Sequence, residues 1–145
     1  MYDSDSANLL RECNSGSKMA VSSIRNVMDD VKEEKLKQIL KTYIKRHEEY
    51  GEEIHAQLSS AGVATEEPAT PAKAMAKVVT EVKLLVDHSN GQIAEVMIDG
   101  CNMGVKSISK FQNRYAKADP QSKKAAEKLI QMEQQMADDL RQFLS

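Results

Sequence analysis

The sequence predicts an all-α fold, a four-helix bundle in one domain over residues 1–145, with a short extra helix in its longest connection. Three observations predict it. Apolar residues recur at three- and four-residue spacing in four long segments, which is the period of an amphipathic helix. No segment sustains the two-residue alternation of a half-buried strand. Cap and stop signals separate the segments, and the length is enough to bury a core.

The first two helices are predicted to form a hairpin. The first begins after a cap among residues 4–6, and the second begins near Asp30, which forms an acidic capping box with Glu33. Gly62 ends the second helix. The apolar face of the first helix carries Leu10, Cys13, Ser17, Ala20, Val21, Ile24 and Met28. That of the second carries Leu36, Leu40, Tyr43, Ile44, His47, Tyr50, Gly51, Ile54, Leu58 and Ala61.

The linker at residues 63–70 leads to a short third helix that begins at Pro71 and is broken at residues 87–91. Ser89 with Gln92 caps the fourth helix, and the pair 119–120, Asp-Pro, opens the fifth. The fourth helix has the apolar face Ile93, Met97, Gly100, Gly104, Ile108, Phe111 and Tyr115. The fifth has Ala126, Leu129, Ile130, Glu133, Met136, Ala137, Leu140 and Leu144. Two hairpins joined by a long connection favour the one-crossover bundle, and a plain up-down-up-down bundle is the alternative.

Composition excludes several classes of function. The formal charge of −2, from 20 basic and 22 acidic residues, predicts no nucleic-acid surface. No run reaches the roughly 18 apolar residues of a membrane span, and the N-terminus lacks a secretion signal, so a cytoplasmic location is expected. Cys13 and Cys101 form no metal or redox motif and are expected to be reduced, half-buried thiols.

A polar or very small residue stands at the centre of each long apolar face: Ser17, His47, Gly104 and Glu133. Helices packed side by side would bring these four positions into one layer. The structural interpretation is a buried His47–Glu133 pair whose members hydrogen-bond each other and fix the helix register. The alternative is a metal or ligand site with His47 and Glu133 as candidate ligands.

Di-iron bundles need more ligands than this layer supplies. They take a Glu from each of two helices and a Glu-x-x-His from each of the other two. Here Ile44 precedes His47 by three residues, and Met136 follows Glu133 by three. No cofactor is therefore predicted, and iron or another divalent metal is the minor alternative. Glu52 with His55 matches Glu-x-x-His but lies off the apolar face, so both are expected at the surface, as is His88.

The interior helical glycines are Gly16, Gly51, Gly100 and Gly104. Glycine inside a helix costs about 1 kcal/mol relative to alanine, so each needs a reason. Close helix–helix approach is the favoured interpretation. The alternative is room for a small ligand beside His47, Tyr43 and Tyr50.

The run Tyr43-Ile-Lys-Arg-His-Glu-Glu-Tyr-Gly-Glu-Glu-Ile-His-Ala-Gln-Leu58, with residues 59–62 after it, resembles the second helix of small bacterial ferritin-like proteins of unknown function. The resemblance extends in layout over nearly the whole chain. It implies a ferritin-like bundle that often self-associates. Members of the wider superfamily store iron, oxidise iron or reduce peroxides. Of the metal ligands that this resemblance implies, the chain matches His47 and Glu133. Some relatives of this shape resemble spore-coat proteins.

The leading functional hypothesis is a non-enzymatic structural or protein-interaction bundle that forms a homo-oligomer. No serine or cysteine stands in a nucleophile motif, and no glycine-rich phosphate loop is present. Two alternatives remain: a metal or redox protein with a degenerate di-iron site, and a spore-coat-like structural protein.

Overall fold

The computed structural model describes residues 4–63 and 89–145, and within these ranges it contains four long α-helices and no strand. Helix α1 spans Ser4–Met28, α2 Glu34–Ser60, α3 Asn90–Arg114 and α4 Pro120–Leu140, with a 3-10 turn over Arg141–Phe143. Helices α3 and α4 are the predicted fourth and fifth helices. The short helix predicted from Pro71 lies outside the described residues. The all-α four-helix bundle is confirmed.

Three predicted helix boundaries are confirmed by their cap geometry. The Ser89 hydroxyl accepts the N–H of Gln92 at the start of α3, 3.2 Å away. The carboxylate of Asp119 accepts the N–H of Ser122 at 2.7 Å, and the proline after it is the first residue of α4. Gly62 follows α2 with φ +74°, the left-handed conformation that lets glycine end a helix.

The start of α2 differs from the prediction. The helix begins at Glu34 and not near Asp30, because the preceding turn is held by tertiary contacts. Val31 is buried in that turn and packs into the core. The Asn90 side chain, from the start of α3, accepts the N–H of Glu33 at 3.5 Å. The side chain of Asn90, distant in the sequence, thus accepts the N–H that the predicted capping box was expected to bond.

The end of α4 also differs. Leu144 was predicted on the buried face but is 48% exposed. The α-helix ends at Leu140, and the 3-10 turn that follows changes the angular spacing of the side chains. Phe143 is buried in its place.

The order of the helices is up-down-down-up. Asn90 bonds beside the start of α2, so α2 and α3 begin at the same end of the bundle. The Ser6 hydroxyl accepts the N–H of Asp119 at 2.7 Å, which places the starts of α1 and α4 together at the other end. The single-crossover arrangement is therefore present, and the plain up-down-up-down alternative is wrong. Residues 63 and 89, which flank residues 64–88, lie at opposite ends of the bundle.

The apolar core consists of two clusters, one toward each end of the bundle. The first includes Ile24, Leu40, Tyr43, Met97 and Leu140. The second includes Leu10, Tyr50, Leu58, Ile108 and Leu129. On every helix, the residue predicted at the centre of the apolar face falls between the members of the two clusters. A polar layer thus divides the core.

Candidate functional site

The four central residues meet in that layer. Ser17 Oγ lies 3.1 Å from His47 Nδ1, and His47 Nε2 lies 3.2 Å from Glu133 Oε1. A Cβ atom on Gly104 would stand 3.3 Å from Glu133 Oε2, so the missing side chain leaves room for the carboxylate. All four helices contribute one member. The layer predicted from the sequence is present, and His47 is only 1% exposed.

The bonds of Ser17 assign the protons of His47. The Ser17 hydroxyl donates to the His47 carbonyl oxygen at 2.9 Å, which uses its one proton. The ring therefore donates Nδ1–H to Ser17 Oγ and turns Nε2 toward Glu133. Nε2 lies 3.2 Å from Glu133 Oε1 but does not meet hydrogen-bond geometry, so the contact is a close polar approach.

Both thiols are fully buried, which corrects the expectation of half-buried cysteines. Burial raises the pKa of Cys101 far above the ordinary thiol range, and the hydrogen-bonded carboxylate of Glu133 raises this pKa further. Burial also raises the pKa of Cys13 to about 12, against the opposing effect of its hydrogen bond to Tyr50. Both groups are protonated at neutral pH, whereas nucleophilic cysteines react as thiolates.

The contact between α2 and α4, called here the α2–α4 seam, is made by long side chains whose polar ends are bonded. The Tyr50 hydroxyl donates to the Ala125 carbonyl oxygen at 2.7 Å, and the Tyr43 hydroxyl donates to Asp139 at 2.6 Å. Near the surface Arg46 donates to Gln135 at 3.0 Å, and Lys128 pairs with Glu53 at 2.9 Å. Together with His47–Glu133, these contacts follow the seam along most of its length.

The opposite contact, the α1–α3 seam, encloses a cavity of about 160 Å³. Small residues form part of its walls: Ser15, Gly16, Ala20, Ser23, Gly100 and Gly104. Glu133 and Met136 of α4 form part of its lining. None of Tyr43, Tyr50 and His47 lines this cavity, and both tyrosine hydroxyls bond to α4. The predicted room is present in part elsewhere, because His47 and Gly51 line a separate groove between α1 and α2.

The interior glycines have different neighbours. A Cβ on Gly100 would meet no atom within 4 Å, so close helix approach does not explain this glycine, which opens onto the cavity. A Cβ on Gly16 would make ordinary 3.6 Å contacts with Ile108 and Leu129. Of the glycines on the seam, Gly104 alone faces a tight neighbour, and that neighbour is a side chain.

Glu52 and His55 are exposed, as predicted, on the wall of an open polar groove between α1 and α2. His88 lies outside the described residues. Within residues 4–63 and 89–145, no three His, Cys, Asp or Glu side chains are grouped so that they could hold a metal ion. The layer therefore falls short of a di-iron donor set, and metal binding by His47 and Glu133 stays a prediction.

Two buried polar residues of α1 that line the cavity were missed by the sequence reasoning. Glu12 is 7% exposed and Ser15 is 2% exposed, and both line the cavity. Burial raises the pKa of Glu12, and the charge of Arg114 acts in the opposite direction. The available signal was their three-residue spacing, which puts both on one side of α1, next to its apolar face.

Comparisons with known proteins identify the family and the fold. Residues 5–114 match the model described as a domain of unknown function, DUF2383, so the chain belongs to that family. The match includes Ser17, His47 and Gly104 and ends before Glu133. No curated protein matches the chain.

One solved structure is similar in fold: the crystal structure of a DUF305 fragment from Deinococcus radiodurans. The TM-score is 0.76 at 13% identity, over 97% of this chain and 95% of the other. At this identity the likeness concerns the fold alone, and it fits an all-α four-helix bundle. No helix among the described residues is long and apolar enough to cross a membrane.

Proposed function

We propose that this DUF2383 protein is a non-enzymatic helical bundle that acts through contact with other proteins, as a cytoplasmic homo-oligomer. One observation carries the proposal: the reactive side chains of the central layer are engaged with each other. His47 contacts Ser17 through one ring nitrogen and Glu133 through the other. Side chains that contact each other in this way hold the helices in register and are not available to a substrate.

The buried location of the layer supports the same proposal. The side chain of His47 is inaccessible, and that of Glu133 is 8% exposed. A general acid or base has to reach a substrate proton directly or through one water. With these side chains directed inward, the described part of the bundle offers surfaces for binding and no assembled catalytic group.

Metal content tests the non-enzymatic part of the proposal. The protein purified without chelators is expected to contain less than stoichiometric iron, manganese and zinc by elemental analysis. His47→Ala is the matched variant. Stoichiometric metal in the natural chain that is lost in His47→Ala would overturn the proposal in favour of a degenerate ferritin-like metal site.

Oligomeric state tests the protein-contact part. Light scattering across a hundredfold concentration range is expected to give a mass that is a multiple of the chain mass of 16.2 kDa. A strict monomer at the highest concentration would contradict self-association, whatever the metal content.

A further inference from the structure

The cavity of the α1–α3 seam has the size of a small-molecule site. Its volume is about 160 Å³, and a cavity of about 150 Å³ in another protein accepts benzene. Ser107, on its wall, is exposed, so the cavity reaches solvent between the two helices. There is room for a ligand of roughly six non-hydrogen atoms.

One end of the cavity is apolar. Ile24 of α1, Met97 of α3 and Met136 of α4 are buried there and line the wall. Methionine side chains are flexible and polarisable, so this end can adapt to a short alkyl chain.

The polar groups lie toward the other end. The Ser15 hydroxyl is buried and has no hydrogen-bond partner within the described part of the chain. Leaving a buried hydroxyl unpaired is costly, which points to a partner from outside the protein. Glu12 lies one turn earlier on the same side of α1 and lines the same cavity, so its carboxyl group and Ser15 are neighbours.

The charges of the lining favour a cation. Two carboxyl side chains, Glu12 and Glu133, line the cavity, and no Lys, Arg or His side chain does. The nearby Arg114 is exposed and sits over the Phe111 ring at 5.4 Å. A carboxylate or phosphate ligand would meet acceptors of like charge, whereas an ammonium group supplies up to three donors, one of them for the unpartnered Ser15 hydroxyl.

We propose that this cavity binds a compact primary alkylammonium ion, with its ammonium group at Ser15 and Glu12 and its chain against Ile24, Met97 and Met136. The site shares the Glu133 side chain with the His47 pair, but its proposed ammonium contacts, Ser15 and Glu12, lie outside that pair and do not depend on self-association. Neither a monomeric state nor the metal content changes this proposal.

Calorimetric titration at pH 7 tests it with three probes of one shape: n-pentylammonium, 1-pentanol and pentanoate. We expect n-pentylammonium to bind one per chain, at least tenfold tighter than 1-pentanol, with no detectable binding of pentanoate. The methyl signals of Met97 and Met136 in NMR spectra are expected to shift on saturation with n-pentylammonium.

Two variants locate the site. Ser15→Ala is expected to weaken n-pentylammonium binding about tenfold while leaving the affinity for 1-pentanol nearly unchanged. Gly100→Leu, whose side chain would enter the open space beside Gly100, is expected to abolish binding of both. Asn102→Leu places the same side chain at an exposed position of α3 and is the control that keeps full affinity.

Three results would overturn the proposal. The first is the absence of saturable n-pentylammonium binding to the natural chain. The second is equal affinity for n-pentylammonium and 1-pentanol together with no effect of Ser15→Ala. The third is undiminished binding to a Gly100→Leu protein that retains the natural circular dichroism spectrum.

Discussion

The α2–α4 seam and the α1–α3 seam of this bundle are packed in opposite ways. Along the α2–α4 seam, tyrosine and histidine side chains bridge the helices, and both tyrosine hydroxyls are hydrogen-bonded, as in the 2.7 Å bond of Tyr50 to Ala125. Along the α1–α3 seam, small residues face one another across a cavity, and the Ser15 hydroxyl stays unpaired among the described residues. One seam defines the register of the helices, and the other leaves space between them.

Glu133 belongs to both seams. Its Oε1 atom faces His47, while its Oε2 atom faces the position where Gly104 has no side chain. The polar layer therefore extends from one seam to the other through a single carboxyl group. A buried polar pair is seldom the most stable solution for a core, but it can specify a unique alignment. The comparison predicts that substitutions on the α2–α4 seam cost stability, whereas filling the α1–α3 seam away from Glu133 does not.

The largest effect is expected for His47→Leu. This change leaves the Glu133 carboxylate buried beside an apolar side chain and removes a partner of Ser17, so the free energy of unfolding should fall by about 3–5 kcal/mol. The double variant His47→Leu/Glu133→Leu removes the unpaired charge and should recover more than half of that loss. Urea denaturation of the two single variants and the double variant gives the coupling free energy.

The surface pair Arg25–Glu48 is the control for this measurement. Its side chains are 60% and 52% exposed, so Arg25→Ala should cost less than about 1 kcal/mol. If His47→Leu costs no more than Arg25→Ala, the central pair does not hold the bundle together, and the contrast between the seams loses its main support.

Tyr50→Phe is expected to have an intermediate effect. It removes the bond to the Ala125 carbonyl oxygen and the contact with Cys13 while keeping the ring, and should lower the free energy of unfolding by about 1–1.5 kcal/mol. Tyr115→Phe is the matched control: the ring there is half-buried and stacks on Phe111, and the change should cost under about 0.5 kcal/mol. Equal losses in the two variants would show that the buried hydroxyl contributes nothing to the seam.

The sequence was sufficient for the helices and for the central layer. Helical periodicity locates Ser17, His47, Gly104 and Glu133 at the centre of their faces, and helices of similar length bring such positions to the same level. The caps at Ser89 and Asp119 were predictable because each involves residues three apart in the sequence.

Features that depend on the arrangement of helices were not predictable in the same way. The start of α2 depends on Asn90, a residue 57 positions after Glu33 in the chain. The α1–α3 cavity was not predicted because periodicity says which residues face inward but not which neighbouring helix each one meets. Glu12 and Ser15 lie beside the apolar face of α1, where a polar residue is ordinarily solvated.

The smallest effect separates the two glycines of the α1–α3 seam. Gly100→Ala adds a methyl group that meets no atom within 4 Å, so the gain in helix propensity should raise the free energy of unfolding by about 0.5–1 kcal/mol. In Gly104→Ala the new methyl group would lie 3.3 Å from Glu133 Oε2 and would displace the carboxylate toward His47. This displacement opposes the propensity gain, so Gly104→Ala should leave stability unchanged or lower it.

Urea midpoints of the two alanine variants, measured with unchanged denaturant slopes, decide the point. Equal stabilisation by both changes would mean that Glu133 moves freely and that the layer does not extend across the bundle. Loss of stability in both variants would mean that the folded protein needs the open space of the α1–α3 seam even without a ligand. A gain of stability in Gly100→Ala without a gain in Gly104→Ala, the expected result, would place the boundary between the rigid and the open seam at Glu133, within the one turn of α3 that separates Gly100 from Gly104.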